Sequence, residues 1–327
     1  SGGVERGVSA PRSAERDVSA FRRFERISMN LARYLLPGGS VSFWHTPVGP
    51  VRYEFTTQHD YYIDFTTKTR YRGPFDAEGI PILDYRGAIG RQYNPCATAQ
   101  YALGWFQVWR RNGRNDARKR FLDCADWFLR EAEQQSGSLW WRYRFDLDAY
   151  GLQKPWVSAL AQAQALSVLV RAHAETGDIA YRSAAVGACR SLLVPIEAGG
   201  VLRKAADTVV LEEVVADRLS AILDGWIFAI FGLLDARFAG FGAEVSGLEE
   251  HFEKTIESLE RMLSSYDLGY WSRADLYAED PPMPASRFYH RLHVAQLETL
   301  HDLTGRERFA HFARRWAVND ADFADRS

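Results

Sequence analysis

The 327-residue sequence predicts a mainly α-helical protein, an incomplete (α/α) toroid of helical hairpins preceded by a small N-terminal β-hairpin or sheet. Apolar residues recur with helical spacing in eight segments after residue 93. These segments come in pairs, and a short turn with a glycine joins several of the pairs, as expected where a helix ends in the left-handed conformation. Repeated helical hairpins build an open solenoid or a closed ring. The unequal hairpins and the strand-like segments before them favour the ring.

The N-terminal part differs in character from the rest of the chain. Residues 1–20 are polar and charged without a pattern, which predicts a disordered or loosely docked tail. A helical pattern follows at 21–36, and residues 41–72 alternate in the manner of strands, most clearly at 51–55 and 61–66. Glycine, proline and aspartate then predict a loop over 73–92. We assign helix, hairpin and loop to residues 21–92, and a catalytic toroid to residues 93–327.

The eight helical segments are predicted by their apolar periodicity and by the turns between them. Gly177 and Gly305 stand in similar Thr-Gly turns, and Gly113 stands in a looser copy. The longer connections at 134–154, 195–215 and 266–285 should gather at one end of the ring and carry its function. The predicted helices are 95–111, 115–133, 155–176, 178–194, 216–238, 244–265, 286–303 and 306–317.

The composition excludes several classes of function. The formal net charge is −2, whereas a nucleic-acid-binding domain usually carries a positive excess. No apolar run approaches the roughly 20 residues that span a bilayer. Cys96, Cys124 and Cys189 are dispersed and odd in number, so we interpret them as buried hydrophobic residues without a disulfide framework. The chain begins with Ser1, and the sequence assigns no compartment.

Aromatic residues make up 13% of the chain and some lie among charged residues. The run from 140 to 144 combines aromatic rings with two arginines. Rings can pack on the C–H faces of sugars, and guanidinium groups bind acidic groups. We therefore predict a substrate-binding role for this run, with core packing as the alternative. Its proposed binding residues are Trp140, Trp141, Arg142 and Arg144.

The segment from 287 to 297 gathers proton-transfer groups at the start of an amphipathic helix. Tyr289, His290, His293 and Gln296 share one side of that helix at helical spacing. Cations such as Arg287 could favour a phenolate or hold a carboxylate. The alternative is a tyrosine that only packs at the helix start. The two histidines lack a third ligand nearby, so we predict no metal.

Polar residues at three other predicted helix starts are further candidates for catalysis or substrate binding. The pair Glu212-Glu213 follows an apolar stretch and could supply a general base, or simply favourable charge at a helix start. Packing remains the stronger interpretation for the polar groups of the other two starts. These are Tyr93, Asn94 and Gln100 at the first long helix, and Trp156, Gln162 and Gln164 at the third.

Five separated blocks carry a family resemblance. Their order and spacing over most of residues 93–317 resemble the D-glucuronyl C5-epimerase family, in a form without the family's large internal β-sandwich. The strand region at 41–72 resembles the hairpin that precedes the toroid in that family. The blocks are Tyr93-Asn94-Pro95 with Ala99-Gln100-Tyr101, the run from Trp156 to Ala172, Leu223-Asp224-Gly225, Tyr266-Asp267, and Tyr289-His290-x-x-His293-x-x-Gln296-Leu297.

The resemblance implies inversion of C5 of glucuronate residues in a polysaccharide, without a cofactor. One group removes the C5 proton and another returns a proton on the opposite face. The family pattern maps these roles onto Tyr289 and Glu213. His290 and Tyr277 complete the candidate catalytic set. Arg273, Arg287 and His293 join the substrate-binding set, and the partner is an acidic polysaccharide, with a homodimer left open.

Two departures from the family pattern keep alternatives open. Val214 and Val215 replace its Tyr-Pro, and Ala274 stands near an expected tyrosine, with Tyr270 or Tyr277 as the substitutes at hand. A polysaccharide lyase needs the same C5 deprotonation with fewer groups. A non-catalytic glycan-binding protein is another alternative. A glycoside hydrolase would need two carboxyl groups, and here Glu213 would work with Asp217, Asp224 or Asp275.

Overall fold

The computed structural model describes residues 43–45, 49–50, 60–85, 87–277 and 281–324. All described elements belong to one compact unit from Phe43 to Ser327. The predicted tail at 1–20, the helix at 21–36 and the strand at 51–55 lie outside the described residues.

Eight α-helices follow residue 94 in the described part of the chain, which confirms the predicted number and order. Four of them form the inner layer of the ring and four pack outside it. The inner helices are α1 (Pro95–Asn112), α3 (Ala159–Thr176), α5 (Leu223–Phe238) and α7 (Arg287–Thr304). The outer helices are α2 (Asn115–Arg130), α4 (Ile179–Leu192), α6 (Leu248–Met262) and α8 (Glu307–Ala324).

Each inner helix forms a hairpin with the outer helix that follows it. Gly113, Gly177 and Gly305 end α1, α3 and α7 with φ angles of 66°, 73° and 66°, which a residue with a side chain rarely adopts. Consecutive inner helices then pack against each other, α1 on α3, α3 on α5 and α5 on α7. The architecture is therefore the predicted incomplete (α/α) toroid.

Three helices begin at least four residues later than predicted: α3, α5 and α6, the last at 248 instead of 244. Local hydrogen bonds account for the first two. Ser158 accepts a hydrogen bond from the backbone N–H of Ala161 and so starts α3 at residue 159 instead of 155. The Glu212 carboxylate accepts bonds from the backbone N–H groups of Ser220 and Ala221, at 3.3 and 2.8 Å. These bonds hold the preceding residues in a loop, and α5 starts at 223 instead of 216.

Within the described residues, four two-stranded antiparallel sheets accompany the helices. β1 (Gly49–Pro50) pairs with β2 (Ile63–Asp64), within the predicted strand region. β3 (Ile82–Asp84) pairs with β4 (Arg91–Tyr93), so the loop predicted over 73–92 contains one short hairpin that the sequence did not indicate. Strands of three residues are too short to show alternation in the sequence. β5 (Glu133–Gln135) with β6 (Ser138–Trp140), and β7 (Leu202–Ala205) with β8 (Thr208–Leu211), lie in two of the long connections.

The segment around β2 packs inside the ring. The Gln107 side chain on α1 accepts a hydrogen bond from the Phe65 N–H at 2.7 Å and donates one to the Ile63 carbonyl at 3.0 Å. A side chain at Gly104 would place its Cβ 2.4 Å from the Phe65 carbonyl oxygen, so the segment requires glycine there. The core thus contains both the inner helices and this segment. No described helix has the length and apolar character to cross a membrane.

Candidate active site at the inner helix starts

The starts of the inner helices lie at one end of the ring, where the long connections meet. Tyr143 stacks on Trp156 before α3, with ring centroids 3.9 Å apart, and its hydroxyl lies 3.4 Å from the side-chain oxygen of Asn94, which caps α1. The hydroxyl of Tyr150 donates to Asp275 at 3.1 Å and so joins the connections at 134–154 and 266–285. Helix starts carry partial positive charge, so this end of the ring suits an acidic ligand.

The two neighbouring glutamates have different environments. Glu212 is fully buried and its carboxylate is saturated by Arg203 at 2.6 Å and by the Ser220 hydroxyl at 2.6 Å, besides the two backbone N–H groups. Glu213 is partly buried, and its Oε2 atom is buried without a hydrogen-bond partner among the described residues. Glu212 is therefore a structural residue of the loop, and Glu213 is the carboxyl group with unused bonding capacity.

Gly225 makes room for the Glu213 carboxyl group. A Cβ at residue 225 would lie 2.0 Å from Glu213 Oε2, so the carboxyl group lies directly against the first turn of α5. Burial raises the pKa of Glu213 well above its usual value, and the nearby carboxyl groups of Asp224 and Asp275 raise it further. Glu213 therefore retains its proton at pH values where an exposed glutamate has lost it. A strongly shifted pKa with a stated cause is frequent at catalytic sites.

The helix α7 contributes two buried histidines with different surroundings. His290 donates from Nε2 to the Trp316 carbonyl at 3.0 Å and stacks on Trp271 at 3.7 Å. Its Nδ1 atom accepts from the Ser272 N–H at 3.1 Å. Burial lowers the pKa of His290 to about 4. Both ring nitrogens are engaged, so the predicted catalytic role of His290 is not favoured and a role in fixing the loop at Ser272 is.

His293 lies one turn later on α7 and faces the start of α5. Its Nδ1 atom is 3.0 Å from the Ser272 hydroxyl, and its Nε2 atom is 4.0 Å from Asp224 Oδ1. The side chain is fully buried, so direct contact with a polymer, as predicted, would require the site to open.

The two candidate tyrosines are both partly buried. Tyr289 lies in the first turn of α7, four residues before His293 and so on the same side of the helix. Its ring packs edge-on against Phe288, and its N–H donates to the capping Ser286 hydroxyl at 3.3 Å. Tyr277 follows Asp275 and packs on the ring of Tyr150 at 5.2 Å.

Most of the predicted substrate-binding arginines are engaged in ion pairs. Arg287 and Arg291 both donate from Nε to Asp320 on α8, each at 2.8 Å. Arg142 and Arg144 both pair with Glu133. These four cations are therefore not free to bind a carboxylate in this conformation. Arg273 donates from Nε to the Asp275 carbonyl at 2.7 Å, within the connection that carries Asp275.

The aromatic run at 140–144 divides between core and site. Trp140 and Trp141 are buried at 3% and 1% exposure, and Trp141 donates to the Phe128 carbonyl at 3.0 Å. Burial removes both from contact with a polymer in this conformation, contrary to the prediction. Trp156 is only partly buried and donates to the Phe145 carbonyl at 2.8 Å. It remains the aromatic candidate for contact with a sugar.

The predicted polar candidates at the first and third inner helices mainly support the architecture. Gln162 is buried and bonds to the Trp141 N–H, the Leu139 carbonyl and the Ser191 hydroxyl. Gln164 and Gln100 both contact the Cys96 thiol. Asn94 caps α1, and the exposed Tyr93 donates to Asp76 at 2.8 Å. These contacts agree with the interpretation that the polar residues at the starts of α1 and α3 serve packing.

Three residues near the site were not predicted to act there. Cys96 and Tyr143 both lie close enough to Glu213 for its charge to raise their pKa values, after burial as the main cause. Lys68 is buried, with Nζ bonded to the Phe43 carbonyl at 2.6 Å, and burial lowers its pKa to about 7. Tyr143 lies within the aromatic run at 140–144, so the sequence did offer a signal for it. No feature of the sequence marked Lys68 as a candidate.

Among the described residues, no group of three or more His, Cys, Asp or Glu side chains could hold a metal ion.

Comparison with known proteins identifies the family. A model described as D-glucuronyl C5-epimerase C-terminus matches residues 134–318, more than half of the chain. The chain belongs to this family. The resemblance predicted from the sequence blocks is thereby confirmed. The region matched to the C5-epimerase C-terminus model contains Glu213, Tyr289 and His293, whereas Lys68 and Cys96 precede it.

Individual relatives are distant. An uncharacterized protein of Methanocaldococcus jannaschii is 26% identical over 269 residues, which cover 74% of this C5-epimerase family chain and 84% of the archaeal protein. A D-glucuronyl C5-epimerase of Caenorhabditis elegans is 25% identical over 212 residues, 60% of this chain and only 34% of the nematode protein. Among solved structures, an unsaturated glucuronyl hydrolase of Bacillus sp. GL1 aligns over 68% of this chain and 61% of its own, with a TM-score of 0.46 and 20% identity.

Proposed function

We propose that this protein inverts C5 of D-glucuronate residues in an acidic polysaccharide, by removal and return of the C5 proton. The observation that carries the proposal is the Glu213 carboxyl group. It lies against the first turn of α5 with a buried, unpartnered Oε2 and a raised pKa. Membership of the C5-epimerase C-terminus family supports the reaction class.

Inversion requires proton-transfer groups on both faces of the sugar ring. Glu213 on the loop before α5 would serve one face and Tyr289 at the start of α7 the other. The group on one face accepts the C5 proton, the electron pair of the broken C–H bond enters the carboxylate as an enolate, and the group on the opposite face returns a proton to C5. Because the raised pKa favours the protonated form of Glu213, this residue is suited to return a proton, and it must be ionised to work in the reverse direction.

The polymer would approach at the end of the ring where the inner helices begin. Their N–H groups and partial positive charge favour the anionic substrate. Trp156, stacked on Tyr143, would provide a flat aromatic surface for a neighbouring sugar.

The test is incorporation of deuterium at C5 when glucuronate polymers such as heparosan are incubated with the protein in deuterated water. We expect incorporation with the unsubstituted protein, and a loss of at least about 100-fold in Glu213→Gln and Tyr289→Phe, the range for a general acid or base. Glu257→Gln and Tyr181→Phe are the matched controls, because both residues lie on outer helices, Glu257 on α6 and Tyr181 on α4. Incorporation that survives in both site variants would overturn the assignment.

A lyase is the second candidate, because Val214 and Ala274 stand where the family pattern has tyrosines. Elimination needs the C5 base and a proton for the departing C4 oxygen, and no group on the second face. It would produce a C4–C5 double bond that absorbs in the ultraviolet, whereas epimerisation leaves the chain length and absorbance unchanged. Binding of the polymer without either product would instead indicate a glycan-binding protein.

A further inference from the structure

Three buried polar atoms without hydrogen-bond partners surround the first turn of α5. They are Glu213 Oε2, His293 Nε2 and Gln296 Oε1, and the described residues offer none of them a partner. Each belongs to a residue that lies against one of two adjacent positions, Asp224 or Gly225. Glu213 lies against Gly225, His293 Nε2 is 4.0 Å from Asp224 Oδ1, and Gln296 donates from Nε2 to the Asp224 carbonyl at 2.9 Å. Unpaired buried polar atoms are costly, so three around one turn indicate a site for a polar guest.

The hydrogen bonds behind His293 decide which of its nitrogens carries a proton. The Trp316 carbonyl accepts from His290 Nε2, so His290 Nδ1 is an acceptor. The Ser272 hydroxyl lies 2.8 Å from that acceptor and donates its proton to the same lone pair that the Ser272 N–H approaches at 3.1 Å. The same hydroxyl oxygen therefore accepts from His293 Nδ1 at 3.0 Å. A neutral His293 then has its lone pair on Nε2, directed at the start of α5.

The hydrogen-bonding capacities of these three atoms match those of one water molecule. A protonated Glu213 donates a hydrogen bond, and His293 Nε2 and Gln296 Oε1 accept. Water takes one donor and two acceptors in this way, and buried waters usually make about three such bonds.

We propose that a buried water at this site carries the proton of Glu213 to His293, so that His293 sets the ionisation of Glu213. The O–H bond of the carboxyl group breaks and a proton passes to the water oxygen. A proton of that water passes to His293 Nε2. The products are a carboxylate and an imidazolium, and the net charge is unchanged. The imidazolium faces the Asp224 carboxylate, which stabilises it.

This relay rests on the proposed function only in taking Glu213 as the proton-transfer residue. It explains how a carboxyl group whose pKa is raised becomes the base for the reverse direction. His293 touches the substrate in neither direction and is a positioning residue. The other titratable groups facing Glu213 are Asp224 on α5, Asp275 on the following connection, Cys96 on α1 and Tyr143 before α3.

The first test is the tautomer of each histidine, measured by nitrogen NMR on the full chain labelled with ¹⁵N-histidine. We expect a proton on Nε2 of His290 and a proton on Nδ1 of His293, with its Nε2 unprotonated or in exchange. The measurement needs no variant of either histidine. A bare Nδ1 and a fixed Nε2–H on His293 would overturn the proposal, because Nε2 could then accept no proton.

The second test follows the Glu213 carboxyl carbon by ¹³C NMR against pH, with Glu213→Gln used to assign its signal. In His293→Asn the amide nitrogen replaces Nδ1, retains the bond to Ser272 and removes the proton acceptor. We expect the Glu213 midpoint to move to higher pH in that variant, and to lower pH in Asp224→Asn, where a negative charge is lost. His301→Asn is the matched control at the far end of α7, since His301 Nδ1 also has a hydrogen-bond partner, the Arg306 carbonyl at 3.3 Å. An unmoved midpoint in His293→Asn would overturn the relay.

Both measurements are made without substrate. A protein that shows them and exchanges no C5 hydrogen retains the relay and loses the proposed function. A protein that exchanges the C5 hydrogen but shows neither NMR result lacks the relay and retains the proposed function.

Discussion

The Glu213 carboxyl group occupies the space that a side chain at Gly225 would take, with 2.0 Å between Oε2 and the position of a Cβ. The contact joins the connection before α5 to the first turn of that helix. It holds the carboxyl group at the end of the ring where the inner helices begin. The residue type at 225 therefore fixes the position of the candidate acid.

The first prediction concerns Gly225→Ala. The added methyl group must displace the Glu213 side chain, so we expect C5 exchange to fall by at least about 100-fold, the scale of a lost or misplaced acid–base group. Circular dichroism should show a folded protein. Gly242→Ala is the control, because a Cβ there would only meet Glu249 at 3.9 Å. Unchanged exchange in Gly225→Ala would contradict the importance of this contact.

The second prediction concerns the stability of Glu213→Gln. Burial raises the pKa of Glu213 in the folded protein, whereas the unfolded chain ionises near 4.5. Between these two pKa values the folded state binds more protons, so the stability contributed by this residue is present at low pH and is lost as pH rises. Glutamine does not ionise. We expect the variant to be more stable than the unsubstituted protein near neutral pH, by about 1.4 kcal/mol for each unit of pKa elevation.

The measurement is urea unfolding near neutral pH and again at about pH 3.5, where Glu213 is mostly protonated in both states and the advantage should disappear. Glu257→Gln, on the exposed side of α6, should show no such difference. A variant that is less stable at neutral pH would show that the carboxyl group contributes to folding.

The third prediction concerns the acid side of the stability profile. The folded-state pKa of His290 is lowered from 6.5 to about 4 by burial. The unfolded chain therefore binds a proton first, and stability that is complete above about pH 6.5 is lost as pH falls toward 4. By about pH 5 the loss should approach 2 kcal/mol.

The test compares unfolding free energies of the unsubstituted protein and His290→Gln between about pH 7 and pH 5. The glutamine amide can still donate to the Trp316 carbonyl and does not titrate, so its profile should be flatter by about that amount. His173→Gln at the end of α3 serves as the control. Equal slopes in His290→Gln and the unsubstituted protein would contradict the assignment.

The fourth prediction concerns the two arginines at the start of α7. Asp320 joins Arg287 and Arg291 to α8, and its pKa is held low by those hydrogen bonds against the opposing effect of burial. Asp320→Asn should lower the unfolding free energy by about 1 kcal/mol, since both pairs are partly exposed. Asp302→Asn, exposed on the same helix as the arginines, should change it little. An equal loss of unfolding free energy in both variants would show that the two ion pairs of Asp320 make no specific contribution to stability.

The sequence predicted the helices because each depends on information within one short segment. Apolar periodicity marked all eight, and Gly113, Gly177 and Gly305 marked three helix ends. It missed β3 and β4, whose three-residue strands are stabilised by pairing across the turn and show no pattern of their own. The starts of α3 and α5 were placed too early because loop hydrogen bonds, above all those of Glu212, outweigh helix propensity there.

The candidate site was predictable only in part. The sequence singled out Glu213 and Tyr289 through the family pattern, but it held Glu212 and Glu213 as one pair. Only the fold separates them, because Arg203 and the loop at 220–221 saturate Glu212 and leave Glu213 Oε2 unpartnered.

The sequence by itself determined the helical ring, its order of hairpins and the family. The tertiary structure decided which side chains are available for chemistry. Arg287 lost that availability to Asp320, 33 residues later, and Trp141 lost it by burial against the Phe128 carbonyl. His293 came to lie 4.0 Å from the carboxyl group of Asp224, a residue far from it in sequence. Charge and hydrogen bonding act between neighbours in space, and a linear pattern records neighbours along the chain.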